Sequence, residues 1–409
     1  MPLPVSRGRI SHTLLSECGW FVRALMSPLT DSETVAKAEF SFASYVGRQE
    51  CIVFPFARTA IWSTLKALNL PRGSRVVLPP LTIKPILDVV VHMGYEPFFV
   101  DINPETACFD EQNLREAMTK KPAVAILTYL FGLVPDVARL LQILREHNVF
   151  VIEDFSQCLN GEFDGQRIGT FGDVSVYSAS SVKTFDTFGG GFALTDNETM
   201  AKELRQHQAQ LTAPKRVELL QSIVRNLLRN LASTRVVFAT LTYWALRFVA
   251  RRSPTSVGRF TGARSTEPLS ELPAPWFRQY TAIQAAVALR ELPRVRSRDE
   301  KRVAQMEGIA TAARHLKRPR GQDGQSHVYW QFIVYVDNFA VAREHLSKRL
   351  IDCATTSLVL LTDLPKYPGQ VETPAGRRLY ELGVYLPCYH QLKDSESRRV
   401  ASALKELSV

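Results

Sequence analysis

The fold is decided by the stretch from residue 74 to residue 155, which contains four apolar runs: SRVVLPP (74–80), EPFFVDI (96–102), AVAILTYLF (123–131) and VFVIEDF (149–155). Patterns typical of helices separate these runs. Short runs rich in Val, Ile and Phe that alternate with helices indicate buried strands of a mostly parallel sheet. The alternation extends from about Ala57 to Asp196 and predicts an α/β domain.

Polar side chains follow several of the predicted strands. Asp101, Tyr129, Asp154 and Ser178 fall at or near strand ends. In parallel sheets, ligands collect at the carboxyl ends of the strands, where loops and helix N-termini meet. We therefore expect a ligand site along this edge.

The length and composition indicate a globular protein with a large core. The chain has 409 residues, of which 45% are hydrophobic, and a chain of this size can bury enough apolar surface for a large domain and a smaller one. The net charge of +10 is compatible with nucleic acid, an anionic membrane or anionic small molecules as partners. Because no zinc finger or RNP motif is present, we do not expect a nucleic-acid partner.

The cysteines are scattered and form no CxxC pair, and no histidines stand at zinc-ligand spacing. We therefore expect neither a metal site nor a disulfide framework, and we expect the protein to reside in a reducing compartment. The apolar patch from Leu14 to Met26 is interrupted by Glu17 and Arg23, which is poor for a signal peptide. We expect a cytoplasmic protein.

The stretch from Val151 to Thr195 combines the groups that a pyridoxal-phosphate site requires. It reads VIEDFSQCLNGEFDGQRIGTFGDVSVYSASSVKTFDTFGGGFALT. Pyridoxal phosphate needs a lysine amine to hold it, an acid beside its pyridine nitrogen and donors for its phosphate. Lys183 and Asp154 can supply the first two, and a glycine-rich turn follows the lysine directly.

This stretch resembles the DegT/DnrJ/EryC1/StrS family of fold-type I aminotransferases, whose members act on nucleotide-linked keto-sugars. Their motifs VIEDAAQA, G(K/R)xGxFGD and FSFYPTKNLGAGGEGG correspond here to VIEDFSQC, GQRIGTFGD and VYSASSVKTFDTFGGG. The resemblance covers most of the chain apart from the first thirty or so residues and an insertion. It implies a large, mostly parallel-sheet domain, a small C-terminal α+β lobe and a homodimer.

The resemblance also implies roles for residues of this stretch. Asp154 would pair with the pyridinium nitrogen, and Gln157 would lie near the phenolic oxygen of the ring. Ser178 would bind the phosphate. Lys183 would hold the cofactor covalently and move the proton during catalysis.

Two upstream loops match the family less closely. Thr59 and Ala60 stand where the family's SGTxAL loop presents backbone amides to an anion, and the family glycine is replaced by Arg58, for which an anion contact or a solvent-exposed position is open. The family's aromatic residue that stacks on the cofactor ring corresponds to Ile83, which would cover the ring by dispersion alone.

An insertion from about residue 211 to residue 275 has no counterpart in the family. Leu219, Ile223 and Leu227 recur at helical spacing, and the uncharged run between Arg235 and Arg247 is too short to cross a bilayer. A basic amphipathic hairpin with Tyr243 and Trp244 could lie at a membrane surface, at the inner face of the membrane. The same helices could instead cover the active-site mouth or form a subunit contact.

We predict four regions: an N-terminal extension (1–30), a large cofactor-binding domain (31–210), the helical insertion (211–275), and a connecting helix with the small C-terminal lobe (276–409). The predicted function is transfer of an amino group from glutamate or glutamine to a nucleotide- or lipid-linked keto-sugar, in cell-surface polysaccharide, lipopolysaccharide or amino-sugar biosynthesis. The alternatives are a non-catalytic membrane-associated scaffold or regulator, and a pyridoxamine-phosphate-dependent sugar dehydratase, which has histidine at the position of Lys183. Tyr129 and His390 could line the sugar pocket or be structural.

Overall fold

A computed structural model describes residues 2–252, 269–367 and 371–407 of the chain. Its centre is a seven-stranded sheet in the order β1-β10-β9-β6-β5-β2-β4. These strands are β1 (Glu50–Phe54), β2 (Arg75–Leu78), β4 (Glu96–Phe99), β5 (Val124–Thr128), β6 (Phe150–Asp154), β9 (Val174–Ser178) and β10 (Gly191–Thr195).

The sheet is mostly parallel, as the sequence predicts. Strands β4, β2, β5, β6 and β9 pair in parallel, and β10 is antiparallel to both of its neighbours, β9 and β1. Every residue of β5 is buried, because helices cover both faces of the sheet. This explains why the central strands read as continuous apolar runs rather than as alternating ones.

Two helical layers enclose the sheet. One face packs against a cluster that includes residues of α2 (Ser32–Val46), α5 (Glu111–Met118), α6 (Val137–Glu146) and the first half of α11 (Ala282–Ala312). The other packs against residues of α3 (Ala57–Leu68), α4 (Lys84–His92) and α7 (Glu198–Ala209). The parallel strands therefore end along one protected edge.

Short strands and a smaller unit complete the fold. The two-residue strands are β3 (Leu81–Thr82), β7 (Glu162–Phe163), β8 (Gln166–Arg167) and β12 (Val359–Leu360). The C-terminal unit contains β11 (Phe332–Tyr335), β13 (Gly383–Leu386), α12 (Phe339–Lys348), α13 (Pro374–Leu382) and α14 (Asp394–Lys405). Strands β11 and β13 pair antiparallel, and the second half of α11 packs against them. Val5 bridges to Ile351, so the first residues of the chain pack on this unit.

The strand-like run at residues 326–336 is shorter in the structure than its sequence suggests. Only Phe332–Tyr335 form β11, because Tyr329 has a left-handed φ of 44° that ends the extended conformation. Trp330 consequently lies outside the strand.

The inserted segment is helical in its described part. It contains α8 (Arg216–Ser233), α9 (Arg235–Val237), a π-helical turn (Phe238–Thr242) and α10 (Tyr243–Arg252). Helix α8 packs antiparallel to α1 (Leu14–Met26), because Arg216 at its start donates to carbonyls at the end of α1 and Asn230 near its end donates to the carbonyl of His12. Within the described ranges, no helix is both long and apolar enough to cross a membrane.

The predicted region boundaries at residues 30, 210 and 275 stay predictions. Residues 253–268 of the insertion lie outside the part of the chain that the structure describes.

Candidate active site

The carboxyl ends of β6 and β9 bring Asp154 and Ser178 to the same edge of the sheet. Asp154 is the last residue of β6, and Ser156 links the two strand ends: its backbone N–H donates to Asp154 Oδ1 (3.0 Å), and its Oγ accepts from the Ser178 N–H (2.9 Å). Burial raises the pKa of Asp154, while the hydrogen bonds from Ser156 and the nearby charge of Lys183 oppose that rise. Ser156 lies within the quoted motif, but its sequence position does not reveal this role.

Glu153, directly before Asp154, is a buried structural carboxylate. Its oxygens accept hydrogen bonds from five donors: the N–H groups of Gly169, Phe171 and Gly172, and the hydroxyls of Ser175 and Tyr129. These bonds fix the loop between β8 and β9 against the end of β6. Tyr129 is therefore a core residue bonded to Glu153, and Asp101 likewise serves structure, because it accepts from the N–H groups of Ala375 and Gly376 in the first turn of α13.

Lys183 lies in the loop between β9 and β10. Its amine stands 3.9 Å from the ring centroid of Trp330, and the Trp330 indole N–H donates to the carbonyl of Val182 (3.0 Å), which holds the ring in place. Burial lowers the pKa of Lys183 to about 8, although the Asp154 carboxylate acts in the opposite direction. The lowered pKa increases the fraction of this amine that is uncharged and nucleophilic near neutral pH.

The glycine run after Lys183 brings the loop against the N-terminus of α3. Phe56, directly before α3, bridges to Gly190, and a Cβ on Gly191 would lie 2.2 Å from the Phe56 backbone. Only glycine permits such a close approach of two backbones. The lysine loop and the loop before α3 are therefore neighbours.

Arg58 is held in the first turn of α3. Its guanidinium stacks on the rings of Phe56 (4.0 Å) and Trp276 (4.4 Å), and burial lowers its pKa to about 10. Among the described residues, its buried Nε has no hydrogen-bond partner. This donor is available to an anion at the start of the helix.

Thr59 and Ala60 are buried beside Arg58, but much of their donor capacity is used within the protein. Both backbone N–H groups donate to the Phe56 carbonyl, and Thr59 Oγ1 donates to the carbonyl of Trp276 (2.7 Å).

Gln157 and Ile83 have different surroundings. Gln157 is buried, and its amide oxygen accepts from the Phe131 N–H (2.7 Å). Ile83 precedes α4 and is 43% exposed, so its side chain covers little protein surface. The cofactor-binding roles of Arg58, Thr59, Ala60, Ile83, Gln157 and Ser178 stay predictions.

A cavity of about 370 Å³ opens next to Lys183. Its walls come from the first residues of the chain, the lysine loop, α8, α11 and the C-terminal unit. The cationic side chains in these walls are Arg7, Arg9, Lys183, Arg229 and Arg302, and no Asp or Glu of the described chain lines the cavity. His390 also lines it, and burial together with the surrounding arginines lowers the pKa of His390 to about 3. The cavity is therefore suited to an anionic ligand.

Helix α8 is fixed at the rim of this cavity by a buried polar network. Asn226 donates to Glu17 of α1 and to Asp186 of the lysine loop, and Asn230 donates to Glu17 (2.9 Å). Arg229 and Ser233 of the same helix line the cavity. The described part of the insertion therefore covers one side of the site in its own chain.

Comparison with known proteins agrees with this fold. The aminotransferase of Psychrobacter cryohalolentis superposes with a TM-score of 0.76 at 18% identity, and the match covers 98% of both chains. Helicobacter pylori PseC, an aminotransferase involved in the biosynthesis of pseudoaminic acid, superposes with a TM-score of 0.74 at 15% identity, and the match also covers 98% of both chains. These structures show a common fold.

Two curated relatives match part of the sequence. The L-glutamine:2-deoxy-scyllo-inosose aminotransferase of Streptomyces kanamyceticus is 29% identical over 41% of this chain and 39% of its own, and the GDP-perosamine synthase of Caulobacter vibrioides is 28% identical over 44% and 49%. The chain thus spans less than half of the length of these relatives. The model of the DegT/DnrJ/EryC1/StrS aminotransferase family matches residues 22–251 and 278–405, so residues 211–251 of the predicted insertion lie within the family match, contrary to the expectation from sequence. The chain belongs to that family.

Proposed function

We propose that this protein is a pyridoxal-phosphate-dependent aminotransferase that transfers an amino group from glutamate or glutamine to a keto-sugar. The observation that carries the proposal is the Lys183 amine, which has its pKa lowered to about 8, interacts electrostatically with the Asp154 carboxylate and lines a cationic cavity. A lysine with these surroundings is suited to nucleophilic and acid–base chemistry near neutral pH.

The residues present fit pyridoxal phosphate. Lys183 would hold it covalently, Asp154 would pair with its pyridine nitrogen, and Ser178 with Arg58 would bind its phosphate. The orphaned Nε of Arg58 supports this assignment, because a buried donor without a partner requires an anion or another acceptor. When bound, the cofactor supplies an electron sink for the carbon from which a proton is removed.

The protein's own groups would then position substrates and move protons. The uncharged Lys183 amine would take the proton from the donor carbon and return one to the sugar carbon. Asp154, buried at the end of β6, would keep the pyridine nitrogen protonated and would be held in place by Ser156. The net reaction exchanges the donor's amino group for the keto oxygen of the sugar.

The substrates are proposed from the cavity and from the relatives. The names of the relatives specify glutamine as a donor in one case and an amino-sugar product on GDP in the other. The cationic cavity suits an acceptor that carries phosphate, on a nucleotide or a lipid carrier. We place the reaction in amino-sugar or cell-surface polysaccharide biosynthesis, in the cytoplasm, with a homodimer as the active form.

The test is an absorbance spectrum of purified protein with pyridoxal phosphate, before and after addition of glutamate or glutamine. We expect a band of lysine-bound cofactor that bleaches with the amino donor. The band should be absent in Lys183→Ala and retained in Lys37→Ala, which removes an exposed lysine of α2.

Two results would contradict the proposal. The absence of a lysine-dependent band at saturating cofactor would support a non-catalytic scaffold. A band that bleaches with neither donor would exclude this aminotransfer reaction, and dehydration of a keto-sugar would be the reaction to assay next.

A further inference from the structure

The inserted helices combine apolar residues with an excess of positive charge, and Glu218, in the first turn of α8, is paired with Arg278. From Leu219 to Arg252 the sequence contains six arginines and no Asp or Glu. The whole chain, in contrast, has 50 basic and 40 acidic residues. This segment therefore differs in charge from the rest of the protein.

One side of these helices presents apolar side chains to the outside. On α8, Val224, Leu228 and Leu231 are exposed, and their spacing of four and three residues places them on one face. After α8, Val236 (70% exposed) and Leu241 (67%) are also exposed. With Trp244 of α10, which is 51% exposed, we call these six residues the insertion face.

The exposure of the insertion face does not result from a loosely packed helix. The opposite side of α8 is anchored by buried Leu219 and Ile223 and by the hydrogen bonds of Asn226 and Asn230 to Glu17. The apolar face is therefore held outward by a fixed packing arrangement. Exposed apolar clusters of this kind mark interaction surfaces.

The neighbouring helix α1 also exposes apolar side chains. Helix α1, antiparallel to α8, exposes Leu15, Val22 and Met26 at spacings of seven and four residues. Two adjacent helices thus each expose an apolar row, with Arg23 on α1 and Arg225 on α8 also exposed.

The charge of the surface discriminates between a second copy of the chain and a lipid bilayer. In a two-fold symmetric contact the same patch meets itself, so the arginines of the insertion would oppose one another without a carboxylate from the same segment. A bilayer with anionic headgroups accepts the apolar side chains and attracts the arginines. Trp244 is typical of the boundary between headgroups and acyl chains.

We propose that the insertion face docks on the surface of an anionic lipid bilayer, with α8 and α10 lying in the plane of the interface. Because Arg229 and Ser233 of α8 line the Lys183 cavity, docking would bring the rim of the cavity close to the membrane surface. The proposal does not depend on the aminotransferase reaction and can fail or hold independently of it.

The test is sedimentation of the full-length protein with vesicles of pure phosphatidylcholine and of equimolar phosphatidylcholine and phosphatidylglycerol. We expect the protein to pellet with the anionic vesicles only, and less so as salt is added. The triple variant Leu228→Ser, Leu241→Ser, Trp244→Ser should bind at least about tenfold more weakly. Arg225→Gln should also weaken binding. The control Phe40→Ser, which changes an exposed apolar residue of α2, should bind like the wild type.

Circular dichroism and sedimentation equilibrium complete the test. Unchanged spectra would show that the variants are folded, and a folded triple variant that pellets like the wild type would overturn the proposal. The proposal would also be overturned if the wild type pelleted with neither kind of vesicle. If the triple variant converts a dimer to a monomer while wild-type pelleting is absent, the face is a subunit interface instead.

Discussion

At the residue scale, the important feature is that titratable groups of the site are displaced from their ordinary behaviour by burial. Lys183 has its pKa lowered to about 8, whereas Asp154 has its pKa raised. Their charges partly offset these shifts, because the ammonium form of one stabilises the carboxylate form of the other. Burial and the neighbouring charge therefore act in opposite directions on both groups.

The pKa of Lys183 predicts how cofactor capture depends on pH. Only the uncharged amine attacks an aldehyde, so the capture rate should rise with pH and level off above about 8. The midpoint of this rise, measured by stopped-flow absorbance, should not lie near 10.4, the pKa of an ordinary lysine. A midpoint near that ordinary value would show that burial does not perturb Lys183.

Asp154→Asn tests the residue beside Lys183. We expect the variant to fold and to bind cofactor. Its kcat should be reduced by about 100-fold or more, because the negative charge proposed to pair with the pyridine nitrogen is lost. A steady-state assay with glutamate and a keto-sugar measures this. Asp164→Asn, in the loop between β7 and β8, should retain wild-type kcat, and equal rates for both variants would refute the role of Asp154.

Glu153→Gln tests the structural carboxylate. The amide can no longer accept from all five donors, so buried donors lose their partner and the free energy of unfolding should fall by about 2–4 kcal/mol. Urea denaturation gives the value. The matched variant Glu33→Gln removes an exposed carboxylate on α2 and should change stability by less than about 1 kcal/mol.

At the scale of elements, α8 connects α1 and the lysine loop through asparagine side chains and lines the cavity with Arg229 and Ser233. Its apolar residues predict the helix, but the partners of Asn226 and Asn230 come from residues about 40 and 210 positions away along the chain. Both carboxylates in this network, Glu17 and Asp186, have their pKa raised by burial.

Asn226→Ala should loosen α8. The substitution leaves Glu17 and Asp186 without one donor each, so we expect about 1–3 kcal/mol of destabilisation and faster proteolysis within residues 216–252. Limited proteolysis followed by mass spectrometry locates the cleavage. Gln221→Ala, on the exposed side of the same helix, should be cleaved at the wild-type rate, and the idea fails if both variants behave alike.

At the scale of the whole molecule, the cavity is assembled from parts that are distant in sequence. Arg9 comes from the start of the chain, Lys183 from the loop between β9 and β10, Arg302 from α11 and His390 from the C-terminal unit. Their convergence produces a cationic site that no local stretch of sequence contains.

Arg9→Gln tests the anionic acceptor. The buried Nε of Arg9 has no hydrogen-bond partner among the described residues, so it can donate to a phosphate group of the sugar substrate. We expect KM for a phosphate-carrying keto-sugar to rise about tenfold with little change in kcat. Initial-rate kinetics separate the two parameters. The control is Arg72→Gln, which changes an arginine shortly before β2. An unchanged KM would exclude Arg9 from the acceptor site.

The sequence by itself determined the α/β class, the strand ends and the presence of Asp154 and Lys183 in one motif. These features depend on local periodicity and on residue types at short spacing, which are readable along the chain. Membership of the family follows from the same motif together with its matches upstream and downstream.

Only the tertiary structure decided which groups surround the motif. Glu153 stands directly before Asp154 in the motif, and only its five hydrogen bonds identify it as a loop anchor, with Tyr129 as one of its partners rather than a pocket residue. Trp330 contacts Lys183 and lies outside β11, because the left-handed conformation of Tyr329 interrupts the extended chain. Burial, pKa and cavity lining depend on contacts between residues far apart in sequence, and one-dimensional spacing carries no record of those contacts.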